Sequence, residues 1–256
     1  MALTAIIGGT GVARLAEAAG PAREEIVETP AGPVTLVRAE AAFGPLVFLP
    51  RHGPAHSVAP HAVNYRANVL ALRAAGVERI LATNAVGSLR LDLSPGALLL
   101  LDDFIDMTRQ RPLTLWETGS GVVHTDFTEP YCPALRLAVQ EAAEDLGIEL
   151  LPRGTYLCVE GPRYESPAEV RLFAQWGADV VGMTGLPEAV FAREAGLCYA
   201  ALAIVTNYGT GLSPDRLSHG AVAAVVEGQA ERMQQLLLAA AARIPAVRDC
   251  ACARKG

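Results

Sequence analysis

Glu165 and Asn207 carry the two side chains best suited to reading a planar heterocycle. An ionised carboxylate only accepts hydrogen bonds, whereas a carboxamide donates from its NH2 and accepts at its oxygen. The acid stands in Gly161-Pro162-Arg163-Tyr164-Glu165-Ser166, and the amide ends the apolar run Tyr199-Ala200-Ala201-Leu202-Ala203-Ile204-Val205-Thr206-Asn207. A ring with an N–H beside a carbonyl satisfies both. Its N–H goes to the carboxylate, its carbonyl to the amide NH2, and a further ring nitrogen to the remaining amide valence. A ring with an amino group in place of the carbonyl, and a lone pair in place of the N–H, leaves at least one contact mismatched. Standing alone, Glu165 reads equally as a water-facing residue at the start of a helix opened by Ser166-Pro167. The ring-reading role requires both residues in one pocket.

A second group of residues suits an oxyanion. Ile6-Ile7-Gly8-Gly9-Thr10-Gly11 is an apolar run entering a glycine-rich turn, where missing Cβ atoms let backbone N–H groups close around an anion. Taken alone it is also an ordinary tight turn. Arg51-His52-Gly53 follows the apolar run Leu46-Val47-Phe48-Leu49-Pro50, which places it at a strand end, where α/β sheets collect ligands. The Arg51 fork can grip two oxygens at once, and His52 and Thr10 add donors. An isolated Arg–His pair, however, is more often a solvated one. The dinucleotide fingerprint G-x-G-x-x-G fails, because counting from Gly9 and Gly11 puts Arg14 at the third glycine position. No G-x-S-x-G motif or Ser–His–Asp order offers a covalent nucleophile.

These residues need a frame that gathers them. Short β-branched or apolar runs bounded by glycine or proline alternate with alanine-rich helical stretches, which predicts a single α/β domain with a mixed, mostly parallel central sheet flanked by helices. Strands are expected at 5–7, 34–38, 46–50, 79–84, 97–101, 154–159, 180–183 and 199–206. Helices are expected at 63–75, 133–146, 167–176, 186–195 and 219–242. The segment 108–133, rich in Thr, Gly and Pro, reads as a functional excursion. The domain is placed at 1–245, with 246–256 as a C-terminal tail.

The 256 residues are 51% hydrophobic and carry a formal net charge of −6, which argues against a broad basic surface for nucleic acid, so any anion must be held locally. No apolar run reaches membrane-spanning length and no basic leader precedes the first apolar run, so a cytoplasmic protein without membrane or nucleic-acid partners is expected. Five cysteines, an odd number, fit a reducing compartment, and Cys250-Ala251-Cys252 reads as part of the tail without a metal or redox role.

Together with Asn64-Tyr65-Arg66-Ala67-Asn68, Asn84-Ala85-Val86-Gly87-Ser88-Leu89 and Met183-Thr184-Gly185-Leu186-Pro187-Glu188, the motifs above resemble, over roughly residues 4 to 240, the trimeric nucleoside phosphorylases. That family includes purine nucleoside phosphorylase and methylthioadenosine phosphorylase. The resemblance implies that Thr10, Arg51, His52, Asn84, Ala85 and Thr184 hold phosphate. Asn84 departs from relatives that carry a hydroxyl there. It implies further that Tyr164, Glu165, Asn207 and Gly209 frame the base, and that Met183, His219 and Val222 line the ribose, with His124 and Phe127 reaching in from a neighbouring subunit.

Simpler readings remain beside these: Met183 as core filling, Tyr164 as a packed loop aromatic, His219 as a solvated helix-start residue. Neither His56 nor His61 receives a role. Relatives acting on methylthioadenosine place a small hydroxyl at the position of Glu165 and Asp-Tyr-Asp where this chain has Asn207-Tyr208-Gly209. Both departures point to a 6-oxopurine, with Gly209 removing a second acceptor. The expected reaction is phosphorolysis of inosine or guanosine to free base and ribose 1-phosphate, with Asn207, Arg51 and His52 as catalytic residues, no metal or organic cofactor, and a homotrimer. Action on S-methyl-5'-thioinosine or S-methyl-5'-thioadenosine is the alternative within the family. A NAD-dependent oxidoreductase and a nucleoside-binding protein without turnover are alternatives from other classes.

Overall fold

The computed structural model describes residues 3–9, 11–53, 57–116, 124–214 and 216–253. In chain order the elements are β1 (Leu3–Gly8), α1 (Val12–Ala19), β2 (Ala22–Val27), β3 (Val34–Ala41), β4 (Gly44–Pro50), α2 (Tyr65–Ala74), β5 (Val77–Ser88), β6 (Leu98–Leu100) and β7 (Asp103–Asp106). Then follow α3 (Pro133–Asp145), β8 (Thr155–Cys158), α4 (Pro167–Gln175), β9 (Val180–Gly182), α5 (Glu188–Glu194), β10 (Cys198–Tyr208), α6 (His219–Gly228) and α7 (Ala230–Arg243).

One ten-stranded mixed sheet runs β2-β3-β4-β1-β5-β9-β8-β7, and β10 pairs with both β5 and β6. Its centre is parallel: β4, β1, β5 and β10 point the same way, while β9 is antiparallel to β5. The central strands are mostly apolar because both faces are covered, and strand pleating sends successive side chains to opposite layers. Tyr199, Ala201, Ala203 and Val205 join the core layer that includes Leu72 of α2 and Phe191 of α5. Cys198, Ala200, Leu202 and Ile204 join the layer with Leu15 of α1, Val139 of α3 and Leu237 of α7. The α/β domain with a mixed sheet and flanking helices is therefore the one expected.

Several details differ from the sequence reading. β2 was not expected because its Ala-Arg-Glu-Glu-Ile-Val is mostly solvent-facing, which suits a charged edge strand and gives no apolar signal. α1 and β7 were likewise not anticipated. The helix expected over 219–242 is two helices, broken at Gln229, whose φ of −106° and ψ of 0° follow Gly228, a residue that weakens a helix interior. The strand expected at 79–84 is longer: β5 continues through Asn84 and Ala85 to Ser88. The tail at 246–256 is docked as far as it is described. Arg79 donates to the carbonyls of Pro245 and Ala246, Arg248 donates to that of Gly196, and Cys252 is only 2% exposed within the α3/α7 core layer.

Candidate active site

The carboxyl ends of four adjacent parallel strands deliver Gly8, Arg51, Gly87 and Asn207 to one edge of the sheet, and a cavity of about 1040 Å³ opens over them. Arg51, His52, Ala85 and Thr184 line it. Tyr164, Glu165, Met183, Asn207 and Val222 line the same cavity. The pocket shared by Glu165 and Asn207, on which the ring-reading role depended, is present.

Arg51 is 3% exposed, and its fork does not face the cavity freely. Nε and Nη2 make a bidentate pair with Glu188 at 2.8 and 2.7 Å, and Nη1 donates to the Thr83 carbonyl at 2.8 Å. Among the described residues, partners engage three of the five guanidinium N–H groups, which leaves two for an anion. Burial opposes the Arg51 charge, but the facing Glu188 carboxylate outweighs it and holds the group above its ordinary range. Glu188, fully buried at the start of α5, also accepts from the Tyr199 hydroxyl at 2.8 Å. In the sequence, Glu188 closes the motif Met183-Thr184-Gly185-Leu186-Pro187-Glu188 with no role of its own. An acid standing directly before the apolar run Ala189-Val190-Phe191-Ala192 was the signal available, since a charge rarely enters a core unpaired.

His52 Nδ1 contacts the Val58 carbonyl at 2.7 Å, which fixes the ring plane. Asn84 was expected to touch phosphate, but it is buried and does not line the cavity. Its Nδ2 donates to Thr184 Oγ1 at 2.9 Å. Because that oxygen already receives a proton from Asn84, the Thr184 hydroxyl is poised to donate its own to a ligand. Asn84 is thus a support for Thr184. Behind it, the Tyr156 hydroxyl accepts from the backbone N–H groups of Thr184 and Gly185, each at 3.1 Å, and Arg111 braces the same segment by donating to the Met183 carbonyl at 2.7 Å. Thr10 lies outside the described residues, as does His56.

Asn207 owes its aim to a register shift. β10 pairs regularly with β5 up to Val205, slips at Thr206 and resumes at Asn207 opposite Gly87. A bulge of this kind redirects the following side chain. Asn207 Nδ2 donates to its neighbour's Tyr208 carbonyl at 2.9 Å, so the NH2 must lie on that side, and Oδ1 faces the Thr206 hydroxyl at 2.9 Å. With the described residues as partners, one N–H and one lone pair remain for a ligand. A Cβ on Gly87 would sit 3.0 Å from Nδ2, so the glycine makes room for the amide.

Glu165 is 7% exposed, and among the described residues no group but its own backbone N–H donates to the carboxylate. Burial pushes its pKa up; Glu169 adds to this and Arg163 opposes it. The water-facing reading of Glu165 is thereby replaced. The half-exposed Tyr164 lies beside it on the wall.

Gly209 is not on the cavity wall. Its N–H bonds the Ser88 carbonyl at 2.7 Å, and an added Cβ would press that oxygen at 3.0 Å and Val170 at 3.1 Å, so packing explains the glycine and the base-framing role does not. Met183 faces the cavity because Gly161, at φ +67°, lets it: a Cβ there would stand 2.5 Å from Sδ. Gly161→Ala should therefore destabilise the fold by roughly 1–3 kcal/mol through the left-handed backbone alone. It should also raise the KM for nucleoside by displacing Met183. A thermal melt and substrate titration check both.

Val222 lies on α6, which starts at His219 with Ser218 Oγ accepting from the Ala221 N–H at 3.2 Å. The His219 side chain is outside the described residues. An exposed Arg14–Glu227 pair at 2.5 Å ties α1 to α6 at the cavity wall. His124 is exposed, and Phe127 packs edge-on against Phe104 with centroids 5.6 Å apart; neither lines this chain's cavity.

A glycine-rich turn, a buried arginine and a cavity of about 1040 Å³ meet at the carboxyl ends of a mixed sheet, and residues 4–242 match the phosphorylase superfamily, to which this chain belongs. It is 48% identical to a probable 6-oxopurine nucleoside phosphorylase of Dictyoglomus turgidum, over 97% of this chain and 94% of that one. It is 47% identical to the 6-oxopurine nucleoside phosphorylase of Pyrococcus furiosus, over 97% and 95%. Among solved structures, the methylthioadenosine phosphorylase of Schistosoma mansoni in complex with adenine superposes with a TM-score of 0.91 at 33% identity, covering 97% of this chain and 93% of that one.

Proposed function

We propose that the protein catalyses phosphorolysis of 6-oxopurine ribonucleosides, inosine and guanosine, to the free base and ribose 1-phosphate. The observation that carries this is the buried Glu165 carboxylate on the same cavity as Asn207, lacking any donor from another described residue. A ligand N–H is what such an acceptor lacks, and N1–H of a 6-oxopurine supplies it. Adenine would set its N1 lone pair against the carboxylate, a mismatch that a buried polar site rejects strongly. The names of the relatives from D. turgidum and P. furiosus support the same choice.

Phosphate is held by the two remaining Arg51 N–H groups, the Thr184 hydroxyl, His52 and backbone N–H groups, and it approaches C1' of the ribose. As the glycosidic bond breaks, its electron pair passes to the purine, a phosphate oxygen bonds C1', and the proton carried by hydrogen phosphate ends on the departing ring. Asn207 stabilises the charge developing on the ring through its free N–H to O6, with Oδ1 accepting from N7 as the ring takes up the proton, while Glu165 fixes N1–H. Inorganic phosphate is the co-substrate, and the reading invokes no metal or organic cofactor. It includes a cytoplasmic homotrimer in which His124 and Phe127 serve a neighbouring copy's site. Among the described residues no helix is long and apolar enough to cross a membrane. Light scattering at working concentration tests the trimer.

Phosphate-dependent release of hypoxanthine from inosine is the direct assay, run beside guanosine, adenosine and their methylthio forms. A kcat/KM that favours adenosine overturns the base assignment. Glu165→Gln, which removes a charged acceptor worth about 1.5–3 kcal/mol, should lower kcat/KM for inosine by roughly 10- to 150-fold and affect adenosine less. Because burial raises the Glu165 pKa, the carboxylate is lost on acidification sooner than an ordinary one would be. KM for inosine should therefore climb as pH falls, starting above the usual carboxylate range, and Glu165→Gln should flatten that limb of the profile.

A further inference from the structure

Four of the five cysteines meet at the opposite end of β10 from Asn207. Cys132 caps α3, Cys198 opens β10, and Cys250 and Cys252 arrive from the docked C-terminal segment. Their four sulfur atoms all lie within 4.8 Å of one another, and Cys198 and Cys250 are 3.3 Å apart. Three are buried and none is disulfide-bonded. Along the chain the Cys250/Cys252 pair lies in a tail, 118 and 52 residues beyond Cys132 and Cys198, so nothing in the sequence brings the four together.

We infer that these four thiols form a binding site for one soft, thiophilic cation such as Zn(II). Four sulfurs all within 4.8 Å of one another, and not two separate pairs, are close enough together to surround one ion. Zinc–sulfur bonds of about 2.3 Å span a sulfur–sulfur edge of about 3.8 Å, so the tetrad closes on the ion with shifts of about an ångström or less. An all-thiolate set with no oxygen or nitrogen ligand selects zinc or a similarly soft ion over magnesium or calcium. Binding releases the thiol protons and involves no electron transfer. The site is structural: Cys198 and Asn207 stand nine residues apart on one strand, roughly 30 Å. The ion pins the segment after α7 to the starts of α3 and β10.

The test is the zinc content, by plasma mass spectrometry, of the full chain purified from zinc-supplemented cells under reducing conditions. About one zinc per chain is expected, surviving gel filtration. The Cys132→Ser and Cys252→Ser proteins should retain roughly a tenth of that or less. Cobalt-substituted wild-type protein should show the intense visible bands of tetrahedral thiolate coordination, a readout that does not depend on the variants folding. Stripping zinc should lower the melting temperature and leave inosine kcat/KM at moderate temperature within about twofold. Substoichiometric zinc in the wild type overturns the site, whether the sulfurs prove to be free thiols or two disulfides by intact mass. So does zinc that the serine variants keep.

Discussion

Asn207→Ala should lower kcat for inosine phosphorolysis by roughly 10²–10³-fold, equivalent to about 2.7–4 kcal/mol, with a much smaller change in KM. That is the size of effect seen when a single donor aimed at developing charge is removed. The purine gains charge only as its bond to C1' breaks, so the Asn207 N–H contributes more in the transition state than in the bound substrate. Asn207→Asp is the sharper variant. The amide now donates to the Tyr208 carbonyl at 2.9 Å, and an ionised aspartate would place oxygen against oxygen there. The acid must either rotate away or keep a proton, and in both cases it loses the donor to O6 and offers an acceptor to an exocyclic amino group. The ratio of adenosine to inosine turnover should rise at least about tenfold, or 1.4 kcal/mol. An unchanged ratio in steady-state kinetics would remove Asn207 from base recognition.

The second large effect belongs to a residue that contacts no substrate. Glu188→Ala leaves the Arg51 guanidinium buried without its countercharge, and truncating one partner of such a pair costs about 3–5 kcal/mol. The denaturation midpoint should drop accordingly. In whatever fraction stays folded, KM for phosphate should rise because Arg51 is no longer held by two hydrogen bonds. Tyr199→Phe, which removes only the 2.8 Å bond to Glu188 Oε1, should cost about 1 kcal/mol and leave the phosphate KM close to wild type. Equal destabilisation by both variants, measured by chemical denaturation, would show that the Arg51 pair carries no special weight.

The sequence by itself determined the α/β class, most of the sheet's central strands and the identity of the residues at its carboxyl edge. That much is local information. Apolar runs buried on both faces and glycine-rich turns announce themselves without regard to what lies across the fold. The complementarity of Glu165 and Asn207 is likewise a property of side-chain types, legible before any coordinate.

Tertiary structure alone decided what each polar group has left to offer. Arg51 looked like a free two-pronged anion clamp, yet three of its donors belong to Glu188 and Thr83, one of them 137 residues away in sequence. Asn84 supports a hydroxyl 100 residues distant and does not face the cavity, and Gly209 is a glycine because Ser88 and Val170 crowd it. The four cysteines become a cluster only when the C-terminal segment folds back. Hydrogen-bond valences are finite, and the partners that fill them come from distant strands, so their allocation cannot be read from neighbours along the chain.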